Sequence, residues 1–323
     1  MKVLVTGASG FVGRALVDSF ENSDIEVVAS TRSDVKAFNK SVKKVITGNL
    51  SASQNWVNAL SGVDVVIHLA ARVHQMKSSE REALDVYREE NVDATINLAK
   101  QSISQGVKRF IFMSTVKVNG EFTDSTAYSE IDEPCPEGAY AVSKYESEQA
   151  LINLAAHSEM EITIIRPPLI YGPGVKGNFD LLIKAVKKRV PIPFKGIDNK
   201  RSLIGLSNLI DFIHLVMEDD RAKNEVYLIA DVTTYSSYEM IQMIAKNYQI
   251  KERCFYFPSW LVYFACLLFR SMSSYKKVYG SLSIDTSKAK NQLGWHPKYD
   301  FHDEIRLIKE SNNWKPQAKK NLL

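Results

Sequence analysis

Cysteine is scarce here, with Cys135, Cys254 and Cys266 scattered through 323 residues. That number and spacing exclude a disulfide framework and a Cys-ligated zinc site, so no metal is expected and a reducing compartment fits best. A surplus of one charge is missing too. The 41 basic and 37 acidic residues leave a net charge of only +4, which gives no reason to invoke nucleic acid; the basic run at 184–189 reads as a solvated helix face. No apolar run reaches the roughly 20 residues that a bilayer-crossing helix requires. The strongest candidate is FYFPSWLVYFACLLFR at 255–270. It reads first as a buried or interface helix, although Trp260, Tyr263 and Phe264 keep weak membrane proximity through 258–270 in view. Because residues 3–5 (VLV) run straight into a glycine motif, no leader of charged and then apolar residues fits, and a cytoplasmic location is expected. Repeats, heptads and low-complexity tracts are absent.

What is present suits a large α/β core, since 45% of positions are hydrophobic. Strand-like runs at 2–6, 25–30, 42–47, 63–68, 107–114 and 161–166 alternate with helical stretches at 12–22, 53–60, 89–105 and 140–158. That order predicts βαβ units around a parallel sheet buried on both faces. After Arg166 the texture changes. Pro167, Pro168, Pro173, Pro191 and Pro193, with Gly172, Gly174, Gly177 and Gly196, predict long ordered loops instead of sheet. The expected division is a first domain at 1–166, to which segments near 202–230 return, and a second region at 167–201 and 231–312. A frayed tail is expected at 313–323.

The opening MKVLVTGASGFVGRAL places Gly7, Gly10 and Gly13 between the first strand and the first helix. A tight turn there brings backbone N–H groups and the positive end of a helix against a pyrophosphate, so a dinucleotide is the expected ligand. The second strand ends in Thr31 and Arg32, where an acid for ribose hydroxyls would otherwise stand. An arginine in that place suits a 2′-phosphate, which favours NADP(H) with NAD(H) as the alternative; Asp34 argues for the latter. Asn49 and Leu50, after the third strand, are candidates for the adenine side. Tyr140 and Lys144 form YxxxK, and their i, i+4 spacing puts phenol and ammonium on one helix face. The expectation is that the cation lowers the phenol pKa and makes it a usable acid–base.

Taken together, TGASGFVG, HLAA, NVDATINL, FMSTVKVNG, YAVSK, RPPLIYGPGVKGNF, RSLIGLSNLID and LGWHP resemble the extended short-chain dehydrogenase/reductases of the nucleotide-sugar epimerase/dehydratase family, over residues 3 to about 299. The resemblance implies a Rossmann-type parallel sheet flanked by helices, with a smaller mixed α/β substrate-binding domain. It adds Ser9, Phe11, Val12, Leu69, Ala70, Ala71 and Pro167 to the cofactor contacts. It assigns Thr115 to the sugar O4, Tyr140 to proton transfer, and Lys144 to the nicotinamide ribose as well. Ser114, Lys117, Asn178 and Arg201 fall on substrate positions, the last two on the diphosphate of a nucleoside-diphosphate sugar, most readily a UDP-sugar. A homodimer through helices near 91–105 and 140–158 is also implied. Two departures narrow the reaction. An Arg-Pro-x-Asp clamp common among 4-epimerases is replaced by GSLSID at 280–285, so Lys276, Lys277 or another group must serve, or phosphate affinity is weaker. Val116 and Lys117 stand where dehydratases carry an Asp–Glu pair, so loss of water across C5–C6 lacks its acid and base. The wording is nearest to bacterial 4-reductases that form UDP-N-acetylquinovosamine from a UDP-4-keto-6-deoxy sugar for surface polysaccharide. An NAD-dependent UDP-hexose or UDP-N-acetylhexosamine 4-epimerase is the alternative, and a non-catalytic dinucleotide sensor the reading from another class.

Overall fold

The computed structural model describes the chain except residues 36, 37, 40, 74–79, 269–274, 276–278 and 314–323. Its chain divides into two compact units: Met1–Pro168 with Leu209–Ala230 and Leu282–His296, and Leu169–Asn208 with Asp231–Ser281 and Pro297–Leu323.

The first unit is built on seven parallel strands: β1 (Lys2–Thr6), β2 (Glu26–Thr31), β3 (Lys43–Ile46), β4 (Val65–His68), β5 (Arg109–Met113), β6 (Glu161–Arg166) and β10 (Glu225–Leu228), in the order β10-β6-β5-β4-β1-β2-β3. The reversal falls between β1 and β4, where Val3 pairs with Val27 on one side and Val65 on the other. Such a crossover opens a crevice at the carboxyl ends of the strands, the usual ligand position in a doubly wound sheet. Side chains alternate along each strand and both faces are covered. Leu4, Val28, Val66, Phe110, Phe112, Ile162 and Ile164 bury against Trp56, α2 (Val57–Leu60), α4 (Ala94–Ser104) and α5 (Gly138–Ala156). On the opposite face lie α1 (Phe11–Ser19) and the part of α7 (Leu206–Glu218) that belongs to this unit. There Arg109 Nη1 donates to the Val216 carbonyl (2.9 Å) and Ser19 Oγ meets His214 Nε2 (2.7 Å). Burial on both sides is why these strands read as continuous apolar runs. Helix α3 (Glu80–Tyr87) leads through a π-helical turn at Arg88–Asp93 into α4. The Rossmann-type sheet is therefore present.

The second unit corrects the expectation of loops after Arg166. It contains β7 (Leu169–Tyr171) paired with β9 (Leu203–Gly205), β8 (Ile192–Lys195) paired with β11 (Cys254–Tyr256), and α6 (Asn178–Lys187). Apolar residues at helical spacing in NFDLLIKAVK outweigh the surrounding prolines, because Phe179, Ile183 and Val186 all bury on one face of α6. They join Tyr171, Leu203 and Phe301 in a core shared with α8 (Ser237–Asn247) and α11 (Phe301–Asn313). Two further helices are α9 (Ser259–Leu268) in this unit and α10 (Ser287–Leu293) in the first. Among the described residues no helix is long and apolar enough to cross a membrane.

Candidate active site

The glycine turn comes first. Gly7 has φ +66° and a Cβ there would stand 2.9 Å from the Ala70 backbone nitrogen; one on Gly13 would come within 2.2 Å of the Gly7 carbonyl oxygen. Only glycine fits either place. The loop closes on itself through Gly10 N–H to the Gly7 carbonyl (2.8 Å) and is tied to β2 by Ala8 N–H to the Ser30 carbonyl (3.1 Å). Ser9 and Gly10 are exposed, Phe11 and Val12 half-buried, and α1 starts directly from Gly10. Two adjoining segments are pinned to the same end of the sheet. Thr6 Oγ1 accepts the Ala70 N–H (3.2 Å) and lies 2.7 Å from His68 Nδ1, while His68 Nε2 meets Thr95 Oγ1 at 2.9 Å. Leu69, Ala70 and Ala71, half-buried after β4, are thereby held beside the turn. Asn91, on the π-helical turn, accepts the Arg72 N–H (2.7 Å) and donates to Ser143 of α5 (3.0 Å). Neither His68 nor Asn91 was singled out from the sequence, although both sit inside motifs that carried the family resemblance.

On α5, Tyr140 and Lys144 stand one turn apart. Lys144 is 2% exposed, and its Nζ lies 4.0 Å from the centroid of the Phe112 ring. No hydrogen bond or ion pair engages that ammonium among the described residues. Burial pulls its pKa down to about 7, with Glu148 opposing the shift. Tyr140 packs edge-on to Tyr87 at 6.2 Å between ring centroids; burial, and then Tyr87, push its phenol up to about 12. The expected lowering of the phenol by its lysine is thus corrected. Spacing does put both groups on one face, yet desolvation dominates each of them and disfavours both charged forms.

Thr115 follows β5 in an extended conformation and caps a single 3₁₀ turn, its Oγ1 accepting the Lys117 N–H (3.3 Å). Pro167 is buried and its carbonyl accepts the Val116 N–H (3.0 Å). Ser114 turns elsewhere: its hydroxyl donates to Glu148 of α5. Glu148 is fully buried and receives Arg166 through Nε (3.0 Å) and Nη2 (2.6 Å), while Arg166 Nη1 donates to Asn119 Oδ1 (3.0 Å). This network, unforeseen from the sequence, locks the ends of β5 and β6 to the helix that bears Tyr140 and Lys144. Lys117 pairs with Glu121 (2.8 Å).

At the other rim of the sheet, Thr31 is buried and its hydroxyl has no hydrogen-bond partner among the described residues; Arg32 is exposed. Asp34 is engaged by Lys44. Asn49 is exposed, and Leu50 packs on the main core. In the second unit Asn178 is the exposed first residue of α6. Arg201 bridges Tyr235 through backbone bonds in both directions (3.0 and 3.1 Å) and donates from Nη1 to the Gly280 carbonyl (3.2 Å). Lys276 and Lys277 lie outside the described residues.

These features fit a dinucleotide: a cradle that only glycines fill, a helix N-terminus behind it, and a buried ammonium that no acceptor matches among the described residues. The model of the NAD dependent epimerase/dehydratase family matches residues 3–230. The chain belongs to that family. A UDP-glucose 4-epimerase from Vibrio cholerae is 40% identical over 318 residues, covering 96% of both chains. Among solved structures, MoeE5 in complex with UDP-glucose and NAD superposes with TM-score 0.77 at 25% identity, over 97% of this chain and 98% of that one. The UDP-glucuronic acid 4-epimerase of Bacillus cereus with NAD gives TM-score 0.77 at 22% identity, over 96% and 98%. The cofactor expectation is corrected by these relatives. NADP(H) was favoured on Thr31 and Arg32, but the dinucleotide in both solved relatives is NAD, and the family itself is NAD dependent. The physical reason is visible in this chain. Arg32 is exposed, and a single flexible surface guanidinium can meet ribose hydroxyls as well as a 2′-phosphate, so it does not by itself choose between the two dinucleotides.

Proposed function

We propose that the protein is an NAD-dependent 4-epimerase of a UDP-hexose or UDP-N-acetylhexosamine. The observation that carries this reading is the 40% identity to the V. cholerae UDP-glucose 4-epimerase along nearly the whole of both chains. The 4-reductase expected from the sequence leaned on Thr31, Arg32 and NADPH as well as on motif wording, and loses the first of these supports. In the proposed reaction Tyr140 removes the O4 proton as C4 is oxidised and returns it once the sugar has turned its other face. Thr115 holds O4. Lys144 binds the nicotinamide ribose hydroxyls through an ammonium that no hydrogen bond or ion pair engages among the described residues. When bound, NAD⁺ would supply the hydride acceptor for C4. Ser114 acts through Glu148 by positioning Thr115, and the family resemblance assigns the diphosphate to Asn178 and Arg201, a task suited to a planar guanidinium. Dehydration remains disfavoured, since Val116 is buried and Lys117 is committed to Glu121.

The test is incubation with UDP-glucose and with UDP-N-acetylglucosamine in the presence of NAD, followed by chromatographic separation of the C4 epimers. Interconversion without net change at 340 nm is expected. Stoichiometric consumption of NADH on a UDP-4-keto-6-deoxy sugar, with no epimer formed from either substrate, would reverse the assignment. Tight NAD retention with no turnover of any UDP-sugar would support the sensor instead.

A further inference from the structure

The apolar stretch after Pro258 is expected to be a buried or interface helix with weak membrane proximity in view, and its described side chains are largely exposed. Trp260 is 60% exposed, Tyr256 69% and Leu267 52%, with Phe257 and Tyr263 exposed as well. Trp260, Tyr263 and Leu267 recur at i, i+3 and i+7, which sets them along one stripe of α9. At ten residues the helix is about 15 Å long, half of what a bilayer crossing requires. It is suited to lie on a surface.

Cations flank the strand pair β8–β11 that leads into α9. Parallel pairing of β8 with β11 sets Lys195 opposite Tyr256, and the Ile192 N–H donates to the Arg253 carbonyl (2.9 Å). Lys187, Lys188 and Arg189 lie exposed at the end of α6, just before β8. Lys184 pairs with Asp180, whereas none of these five cations makes an ion pair among the described residues. Moreover, residues 253–284 contain no Asp or Glu. Aromatic rings with a polar atom, an aliphatic tip and a one-signed cationic margin match the layered chemistry of a lipid headgroup region. Lysine is depleted in the core of protein–protein interfaces, which argues against a protein occupant.

We propose that the face made by β11 and α9 docks this protein on an anionic phospholipid bilayer, with Trp260, Tyr263 and Leu267 entering the headgroup boundary and the five cations meeting lipid phosphates. The experiment is flotation of the full chain with phosphatidylcholine vesicles and with vesicles that also contain phosphatidylglycerol, at low and high salt. Binding to the anionic vesicles alone, and release by salt, are expected. A Trp260→Ser/Leu267→Ser variant and a Lys188→Gln/Arg189→Gln variant should each weaken partitioning by about tenfold or more. Circular dichroism verifies that the variants are folded, and the salt arm on the unaltered chain stands whether or not they are. Failure to float with either vesicle overturns the proposal, as does equal binding to neutral and anionic lipid. A dimer that Trp260→Ser/Leu267→Ser converts to monomer, with no lipid bound by the unaltered chain, would assign the face to a second copy.

Discussion

Arg166 closes on Glu148 through two nitrogens in a site where their side chains are 5% and 0% exposed. The pair joins the end of β6 to α5 one turn beyond Lys144, and Ser114 adds a third donor. A buried ion pair contributes little relative to an apolar substitute, but removing one partner strands the other charge. Glu148→Gln or Arg166→Met should therefore cost about 3–5 kcal/mol, measured by urea unfolding, and Glu148→Leu/Arg166→Met should recover much of that loss. If the single variants unfold like the unaltered protein, the network does not fasten α5.

Lys144 is a case where function and stability pull apart. Its folded pKa of about 7 lies below the ordinary 10.5, so between those values the unfolded chain binds a proton that the folded chain has released. Stability from this group then rises with pH across that window. Lys144→Met should stabilise the protein at pH 7 by about 1–3 kcal/mol, after allowance for the lost contact with Phe112, while ending turnover. The advantage should shrink as pH approaches 10. An advantage that persists unchanged to high pH would mean the lysine is charged throughout.

Tyr140→Phe separates chemistry from packing. The phenol oxygen makes no hydrogen bond among the described residues, and the ring against Tyr87 is retained in the variant. Thermal stability and NAD affinity should stay close to those of the parent. Turnover should fall by a factor of about 10² or more, the scale of a lost general acid–base. Equal activity would remove Tyr140 from the reaction.

The sequence made some of this legible and concealed the rest for physical reasons. Strand β6 was readable to the residue because two prolines stop it, and β1 because a glycine turn follows. Helix α5 was placed within about two residues at each end, the usual uncertainty of a helix boundary. The π-helical turn at Arg88–Asp93 left no periodic trace, since one extra residue only shifts the phase of the pattern; α3 before it was missed as well. Glu148 and Arg166 are 18 positions apart, and nothing local marks either as buried. The exposure of the α9 stripe was hidden for a different reason. Apolar content alone does not tell a core helix from an exposed one.

His68 offers the clearest dependence on acid. Its ring is 1% exposed, held between Thr6 and Thr95 and packed beside Phe110 and Phe112. Burial, assisted by the charge of Lys144, pulls its pKa down to about 3 from 6.5. As pH falls from 6.5 the unfolded chain takes up a proton that the folded chain refuses, so stability contributed by this group is lost progressively toward pH 3. Lys144, gaining its own proton below about 7, reinforces the refusal. His68→Gln should be less stable than the parent at pH 7 by about 1–2 kcal/mol through lost hydrogen bonds. That gap should narrow on acidification, because glutamine does not titrate. In NMR the His68 ring signals should stay fixed from pH 8 down to the onset of acid unfolding. A midpoint near 6.5 would mean that the ring is wet, and that the segment from Leu69 to Ala71 is not pinned in the way the Thr6–His68–Thr95 contacts require.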